Sequence, residues 1–301
     1  MRTGMIIGAV ILFLTCVVVF LHWNNKSIVI TEHVYRSAKL PEVFDGFQIT
    51  QVSDLQSEYF GKEQSHLIEK VERTRPDIIV YTGDLLDRNH TDFDAARTAM
   101  KGLLEIAPVY YVNGNHEMAV EETAMKAFYA ELASMGVTVL FDRKAVIQKD
   151  GEVLCLMGLS EHTVFSCKDF VRDNSAPLDM EIFEASLTAL RGQAAPEDFT
   201  ILLAHEPQYL ESYAKAGFDL AFAGHAHGGQ IRLPFTDGLY APGQGVLPKL
   251  ASGVHESGDT TLVISRGLGN STFPFRVFNR PEIISVVLSS KNEVGIIDNY
   301  K

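Results

Sequence analysis

An α/β fold of two packed sheets flanked by helices, behind an apolar N-terminal segment, is the fold class that this sequence predicts. Three observations carry it. Short apolar runs alternate with polar loops and helix-spaced segments through residues 28–135. Strand-like runs predominate in the second half, and residues 4–23 hold no Asp, Glu, Lys or Arg. Alternating elements followed by strand-rich sequence build layered sheets with helices outside.

The first element is the uncharged segment. Roughly 20 apolar residues suffice to cross a bilayer. A cleaved signal peptide is usually shorter and ends in small residues. This segment ends on Val18, Val19, Phe20, Leu21, His22 and Trp23, and Trp suits a membrane interface. An uncleaved, single-pass cell-membrane anchor over residues 1–26 is expected, followed by one domain over 27–301. Arg2 on one side and Lys26, Arg36 and Lys39 on the other give no clear charge vote. The expected side for the domain is outside the cytoplasm.

Residues 28–35 read as a strand, with turns at Leu40-Pro41 and Asp45-Gly46. Residues 47–52 form a second strand leading to Asp54, and 62–73 carry helical spacing through Leu67, Ile68 and Val71. A strand over 78–81 runs into Gly83-Asp84, a helix follows over 93–105, and a strand over 109–112 runs into Gly114-Asn115-His116. Another helix is expected over 121–135. Further strands are expected at 137–140, 146–148, 153–158, 200–204, 220–223, 261–265 and 283–288, and helices at 180–191 and 207–216. Each polar cluster falls at the C-terminal end of a strand, where open α/β sheets place their ligand crevice.

Composition narrows the chemistry. The formal net charge of −12 argues against a nucleic-acid partner, because phosphate backbones are bound chiefly by basic surface. An acidic protein still handles a phosphate if metal ions supply the positive charge. Cys16, Cys155 and Cys167 lack CxxC spacing and read as structural thiols.

Four clusters carry the chemistry: Asp54-Leu55-Gln56, Gly83-Asp84 with Asp87-Arg88, Gly114-Asn115-His116-Glu117, and Gly224-His225-Ala226-His227, with His205 alone before the last. Each has an ordinary explanation by itself. A strand-end Asp caps turns, Gly-Asn is a turn dipeptide, and a lone histidine is most often a core residue. Together and in this order they point to metal. Carboxylate, amide oxygen and imidazole suit Mn, Fe or Zn. A carboxylate in such a set bridges two ions about 3.5–4 Å apart, with a hydroxide between them to attack phosphorus.

The ordered set closely resembles the calcineurin-like metallophosphoesterase superfamily, and within it the membrane-associated bacterial phosphodiesterase-type branch. The resemblance runs over residues 28–288. It implies a four-layer α/β/β/α sandwich of two mixed β-sheets and a cofactor of two divalent metal ions. By resemblance, one ion is held by Asp54, Gln56, Asp84 and His227, and the other by Asp84, Asn115, His205 and His225. Asp84 bridges, His116 acts at the phosphate or the leaving oxygen, and Asp87 orients His116. Arg88 is expected at a phosphate oxygen or in solvent. Gln56 departs from the pattern, since the family places a histidine there. It offers a weaker, harder donor, so a looser first site in an active enzyme is expected.

Two further segments bear on the pocket. Gly228-Gly229-Gln230 brings backbone N–H groups within reach of a phosphate. The segment from Arg266 to Asn270 resembles a family loop lining the site, with Arg266 divided between phosphate contact and a structural ion pair. Phe273, Phe275 and Phe278 are expected to pack on the core, with lipid contact as the alternative.

The function expected is hydrolysis of a phosphodiester or pyrophosphate, with a lipid-linked headgroup favoured by the anchor and soluble nucleotides or phosphomonoesters left open. The rival readings are a metal-binding scaffold disabled at Gln56 and a nuclease of the same superfamily.

Overall fold

The computed structural model describes residues 2–167, 178–233, 236–271, 273–291 and 295–298. The expected domain end at residue 301 therefore lies outside the described residues. Helix α1 (Arg2–Lys26) leads into strand β1 (Val29–Arg36). Strand β2 (Gln48–Val52), helix α2 (Ser65–Arg73), strand β3 (Ile78–Thr82), helix α3 (Phe93–Leu104), strand β4 (Val109–Val112) and helix α4 (Glu122–Met135) follow. A short β5 (Thr138–Val139) precedes the hairpin of β6 (Arg143–Lys149) and β7 (Glu152–Gly158). Helices α5 (Glu161–Ser166) and α6 (Met180–Arg191), strand β8 (Thr200–Leu203), helix α7 (Leu210–Ala216) and strand β9 (Leu220–Ala223) continue the chain. It closes with β10 (Tyr240–Ala241), β11 (Gly245–Val246), β12 (Gly253–Ser257), β13 (Thr260–Ile264), β14 (Glu282–Ser289) and β15 (Gly295–Asp298).

Among the described residues the strands form a seven-stranded sheet, β15-β1-β14-β2-β3-β4-β5, and a six-stranded sheet, β12-β13-β9-β8-β7-β6, with β10 and β11 paired apart. Both large sheets are mixed. In the first, β2, β3 and β4 run parallel while β14 is antiparallel to β2. In the second, β7, β8, β9 and β13 run parallel, with antiparallel β6 and β12 at the edges.

The apolar runs explain the layering. Side chains alternate across a strand, so a strand covered on both faces needs apolar residues at every position. In β3, Ile79 and Tyr81 pack into a core with α2, α3 and α4, while Ile78 and Val80 face the other sheet. In β8, Ile201 and Leu203 face the first sheet, while Leu202 packs with Phe183 and Leu187 of α6 and Tyr213 of α7. Three cores thus separate four layers, helix, sheet, sheet and helix.

Helix α1 stands apart from these cores. Thr3–Lys26 is long and apolar enough to cross a membrane, with an apolar stretch of mean hydropathy 2.9 in which no residue is buried. Its lower end is attached to the domain. Asn24 and Asn25 donate to the Arg276 carbonyl, at 2.7 and 3.4 Å, and the Arg280 guanidinium donates to the Ser27 carbonyl.

Candidate metal centre

Parallel strands of both sheets end on the same side, and the polar clusters sit just beyond those ends. Asp54 follows β2, Asp84 follows β3, Asn115 and His116 follow β4, His205 follows β8, and His225 and His227 follow β9. The backbone there is unusual. Asp54, Gln56, Asp84, His225 and His227 all have φ between 48° and 65°, a region that residues other than glycine rarely adopt and that gathers at functional sites. Glycines allow the close approach. A Cβ on Gly114 would lie 2.2 Å from Asp84 Oδ1, and one on Gly224 would lie 2.3 Å from Asp54 Oδ2.

Two groups of side chains each bring their donor atoms within 4.8 Å of one another: Asp84, His205 and His225, and Asp54, Asp84 and His227, all buried. Asp84 belongs to both. His205 Nε2 is 3.3 Å from Asp84 Oδ2, and His227 Nε2 is 3.4 Å from Asp54 Oδ1. His205 Nε2 also lies 3.1 Å from Asn115 Oδ1 and 3.2 Å from His225 Nδ1. Gln56 Nε2 donates to Asp84 Oδ2 at 2.7 Å. The sequence-predicted positions at 54, 56, 84, 115, 205, 225 and 227 therefore converge on one buried cluster.

His116 and Asp87 sit at its edge. The His116 backbone N–H donates to Asp84 Oδ1 at 2.8 Å, and its ring Nδ1 lies 3.4 Å from Asp87 Oδ2. Asp87 Oδ1 also accepts the N–H groups of Asn89 and His90, at 2.6 and 2.7 Å, which fixes the carboxylate. Arg88 is exposed, and its backbone N lies 3.3 Å from His116 Nδ1.

Burial and neighbouring charge set the protonation states. Burial pushes Asp54 up to about 6, with His205 opposing and Asp84 adding to the rise. Burial also acts upward on Asp84, but His205 and His116 overcome it and hold the carboxyl well below its ordinary range. Burial lowers His225 far below its usual value, reinforced by His205, and lowers His227 to about 3, reinforced by Arg276. Both rings are therefore neutral at pH 7, with lone pairs free for a Lewis acid.

A divalent ion fits this donor set. The carboxylates are buried beside the neutral rings of His225 and His227. Of the three candidate ligand rings only His205, where burial acts downward but Asp84 raises the pKa well above its ordinary value, offers them charge. Buried charge calls for partners, and a cation supplies them. Gln56 Oε1 is buried without a hydrogen-bond partner, an amide oxygen left available beside Asp84. The imidazole, carboxylate and amide combination suits borderline ions.

Two neighbours received no role from the sequence, Glu117 within its cluster and Arg276 outside any. Glu117 is buried, with Oε2 accepting from the N–H groups of Asp84 and Gly114 and Oε1 from that of Leu86. Burial raises its pKa to about 7, with Asp84 adding to the rise. Arg276 is fully buried, its guanidinium donating to Gly269 O and lying 3.2 Å from His227 Nδ1. An arginine among phenylalanines was the available signal, since a charge inside an apolar run has to find internal partners.

Two expectations are corrected. The N–H groups of Gly229 and Gln230 close turns onto the carbonyls of Ala226 and His227, so they are not presented to a phosphate. Phe273, Phe275 and Phe278 are exposed rather than packed on the core, because the loop's inward position is taken by Arg276. Arg266 resolves toward the ion pair, with Nη2 2.7 Å from Glu282 Oε1.

Two mixed sheets between helices, with buried histidine and aspartate clusters at the strand ends, define a metal-dependent α/β hydrolase. Residues 47–229 match the calcineurin-like phosphoesterase family. The chain belongs to that family and is a metallophosphoesterase. It is 30% identical over 266 residues to the uncharacterized metallophosphoesterase YkuE of Bacillus subtilis, covering 87% of this chain and 86% of that protein. It is 29% identical to the phosphodiesterase YaeI of Escherichia coli, covering 71% of each chain. A transmembrane protein with a metallophosphoesterase domain from Bos taurus is 26% identical, over 84% of this chain and 55% of that one.

Proposed function

We propose that the protein hydrolyses a phosphodiester or pyrophosphate at a dinuclear centre, from a domain (residues 27–301) that an uncleaved anchor (residues 1–26) holds outside the cytoplasm at the cell membrane. Asp54, Gln56, Asp84 and His227 would hold one ion, and Asp84, Asn115, His205 and His225 the other. The observation that carries this reading is that Asp84 belongs to both donor groups. Mn, Fe or Zn suits the donors. When bound, two such ions supply positive charge against the phosphoryl oxygens and acidify a water.

The chain's own residues do the rest. His116 gives a ring proton to the leaving oxygen as the P–O bond breaks. Asp87, 3.4 Å from Nδ1, orients the ring and favours the protonated form. Burial works against that form, but Asp84 and Asp87 outweigh it and raise the His116 pKa above its ordinary value, which favours the proton a general acid needs. The strained loops hold the donors apart from bulk water, which strengthens each electrostatic contact.

A metal-binding scaffold is the second reading, favoured by Gln56, whose amide nitrogen already engages Asp84. The test strips the full-length protein of metal and titrates it with Mn²⁺, following metal content and the hydrolysis of a chromogenic phosphodiester. Two bound ions with Mn-dependent turnover are expected, and Asp84→Asn should lose both together. Bound metal without turnover on diester, pyrophosphate or monoester would leave the scaffold reading in place.

A further inference from the structure

Two neighbouring loops beside the metal centre expose apolar side chains. One carries Leu233, Val246 and Leu247, the latter two 70% and 61% exposed. The other carries Phe273, Phe275 and Phe278, the last 63% exposed. Arg232 N–H donates to Val277 O at 2.9 Å and Ile231 bridges Val277, so the two loops form one surface. Scattered exposed apolar residues are ordinary, but a contiguous patch marks a place of contact. Both loops lie beyond the residues 47–229 that match the family.

Helix α1 runs into this same surface. The rings of Phe20 and Phe278 have centroids 5.3 Å apart, and the Arg280 guanidinium lies 4.9 Å from the Trp23 ring centroid. The hydrogen bonds of Asn24 and Asn25 to Arg276 fix the helix end against the second loop. An apolar helix exposed along most of its length thus touches an exposed apolar patch, and hydrocarbon covers both. The charges agree. In a chain of net charge −12, the two loop segments carry Arg232, Lys249 and Arg280 on residues that are not buried, with Asp237 3.7 Å from Arg232, a basic balance that suits a phosphate-bearing headgroup layer. Trp23 and Arg280 sit where an interfacial aromatic belt belongs.

We propose that these loops dock the domain face-down on the bilayer that α1 crosses, so that the rim of the metal centre takes its phosphoester from an amphiphile held in that bilayer. The proposal rests on the phosphoesterase and anchor readings above. The second loop is one side chain away from the site, since Arg276 reaches Gly269 O and His227.

The test uses the full chain in zwitterionic vesicles and a Cys16→Ser background, whose remaining cysteines are buried. Val246→Cys, Phe278→Cys and, on edge strand β6, Val146→Cys are labelled in turn with an environment-sensitive fluorophore. The labels at 246 and 278 should shift to the blue and be quenched by nitroxide lipids, while the label at 146 does neither. Labels at 246 and 278 as wet as that at 146 overturn the proposal, as does a chain that fails to float with the vesicles. A blue shift that nitroxide lipids leave unquenched and protein dilution reverses means that a second copy covers the patch, which also overturns it. Phe273→Ser combined with Phe275→Ser should slow hydrolysis of a vesicle-borne phosphodiester and leave a soluble one unchanged. Equal loss on both esters counts against the docking. Lipid quenching without any turnover removes the phosphoesterase reading and with it the bilayer substrate, leaving only the docking, whereas turnover without quenching removes the docking alone.

Discussion

Gln56 is the residue on which the centre's strength turns. Its Nε2 lies 2.7 Å from Asp84 Oδ2 while its Oε1 has no partner. A metal ligated by that oxygen gains an uncharged amide donor where an imidazole would bind a borderline ion more strongly. Gln56→His should therefore tighten the looser ion, lowering the Mn²⁺ concentration at half-occupancy while the tighter ion is unaffected. Calorimetric titration of the metal-free full chain reads both steps. Equal affinities in the two proteins would mean that position 56 is no ligand and that its amide serves only to hold Asp84. The position itself was legible in the sequence as the third residue of Asp54-Leu55-Gln56. The free oxygen was not, because it depends on which neighbours Asp84 and Gly269 bring to within contact of the side chain.

The same division holds for the elements. Strands buried on both faces announce themselves as unbroken apolar runs, so β3, β8 and β9 were readable, and the helices between them followed from 3.6-residue spacing. Edge strands β5 and β6 were read, but weakly patterned elements were missed. Strand β12 reads Gly-Val-His-Glu-Ser and is half-buried, so nothing in it demands a strand until β13 lies alongside. Helix α5, six residues opened by the Ser160 cap, is too short for a periodic signal. The start of β14 gives a testable case. Glu282 at its first position is buried, which acts to raise its pKa, yet Arg266 and the hydrogen bonds around it prevail and lower it. A depressed carboxyl pKa contributes stability above its unfolded value of about 4.3, lost as pH falls through the folded value. Glu282→Gln keeps an oxygen for Arg266 but removes the charge, and should thus destabilise the protein by roughly 1.5–3 kcal/mol at pH 7. The deficit should shrink in denaturant melts as pH drops below about 4. A deficit independent of pH would mean that the ion pair adds no more than its packing.

At the scale of the whole molecule, the foot of helix α1 meets the loop around Arg276 beside the site, and no local pattern forecast that meeting. Asn24 and Arg276 are separated by 252 positions, yet the buried Asn24 amide donates to the Arg276 carbonyl at 2.7 Å. The Arg276 side chain then donates to Gly269 O at 2.6 Å and abuts His227. The apolar segment was legible as a membrane candidate because length and hydropathy are local quantities. Its attachment was not, since two asparagines at a helix end read equally well as a solvated cap. The chain of contacts makes the end of the apolar helix a support for the candidate metal centre. Asn24→Ala leaves the Arg276 carbonyl without its buried donor, a loss of about 1 kcal/mol. If that loss loosens Arg276, the variant should melt lower without metal and also bind the His227-side ion about fivefold more weakly. Lys26→Ala, which removes an exposed pair with Glu58, should change neither. Both quantities are measurable on the full chain in detergent. Lowered melting with unchanged metal affinity would show the helix end to be fastened to the fold but mechanically separate from the site.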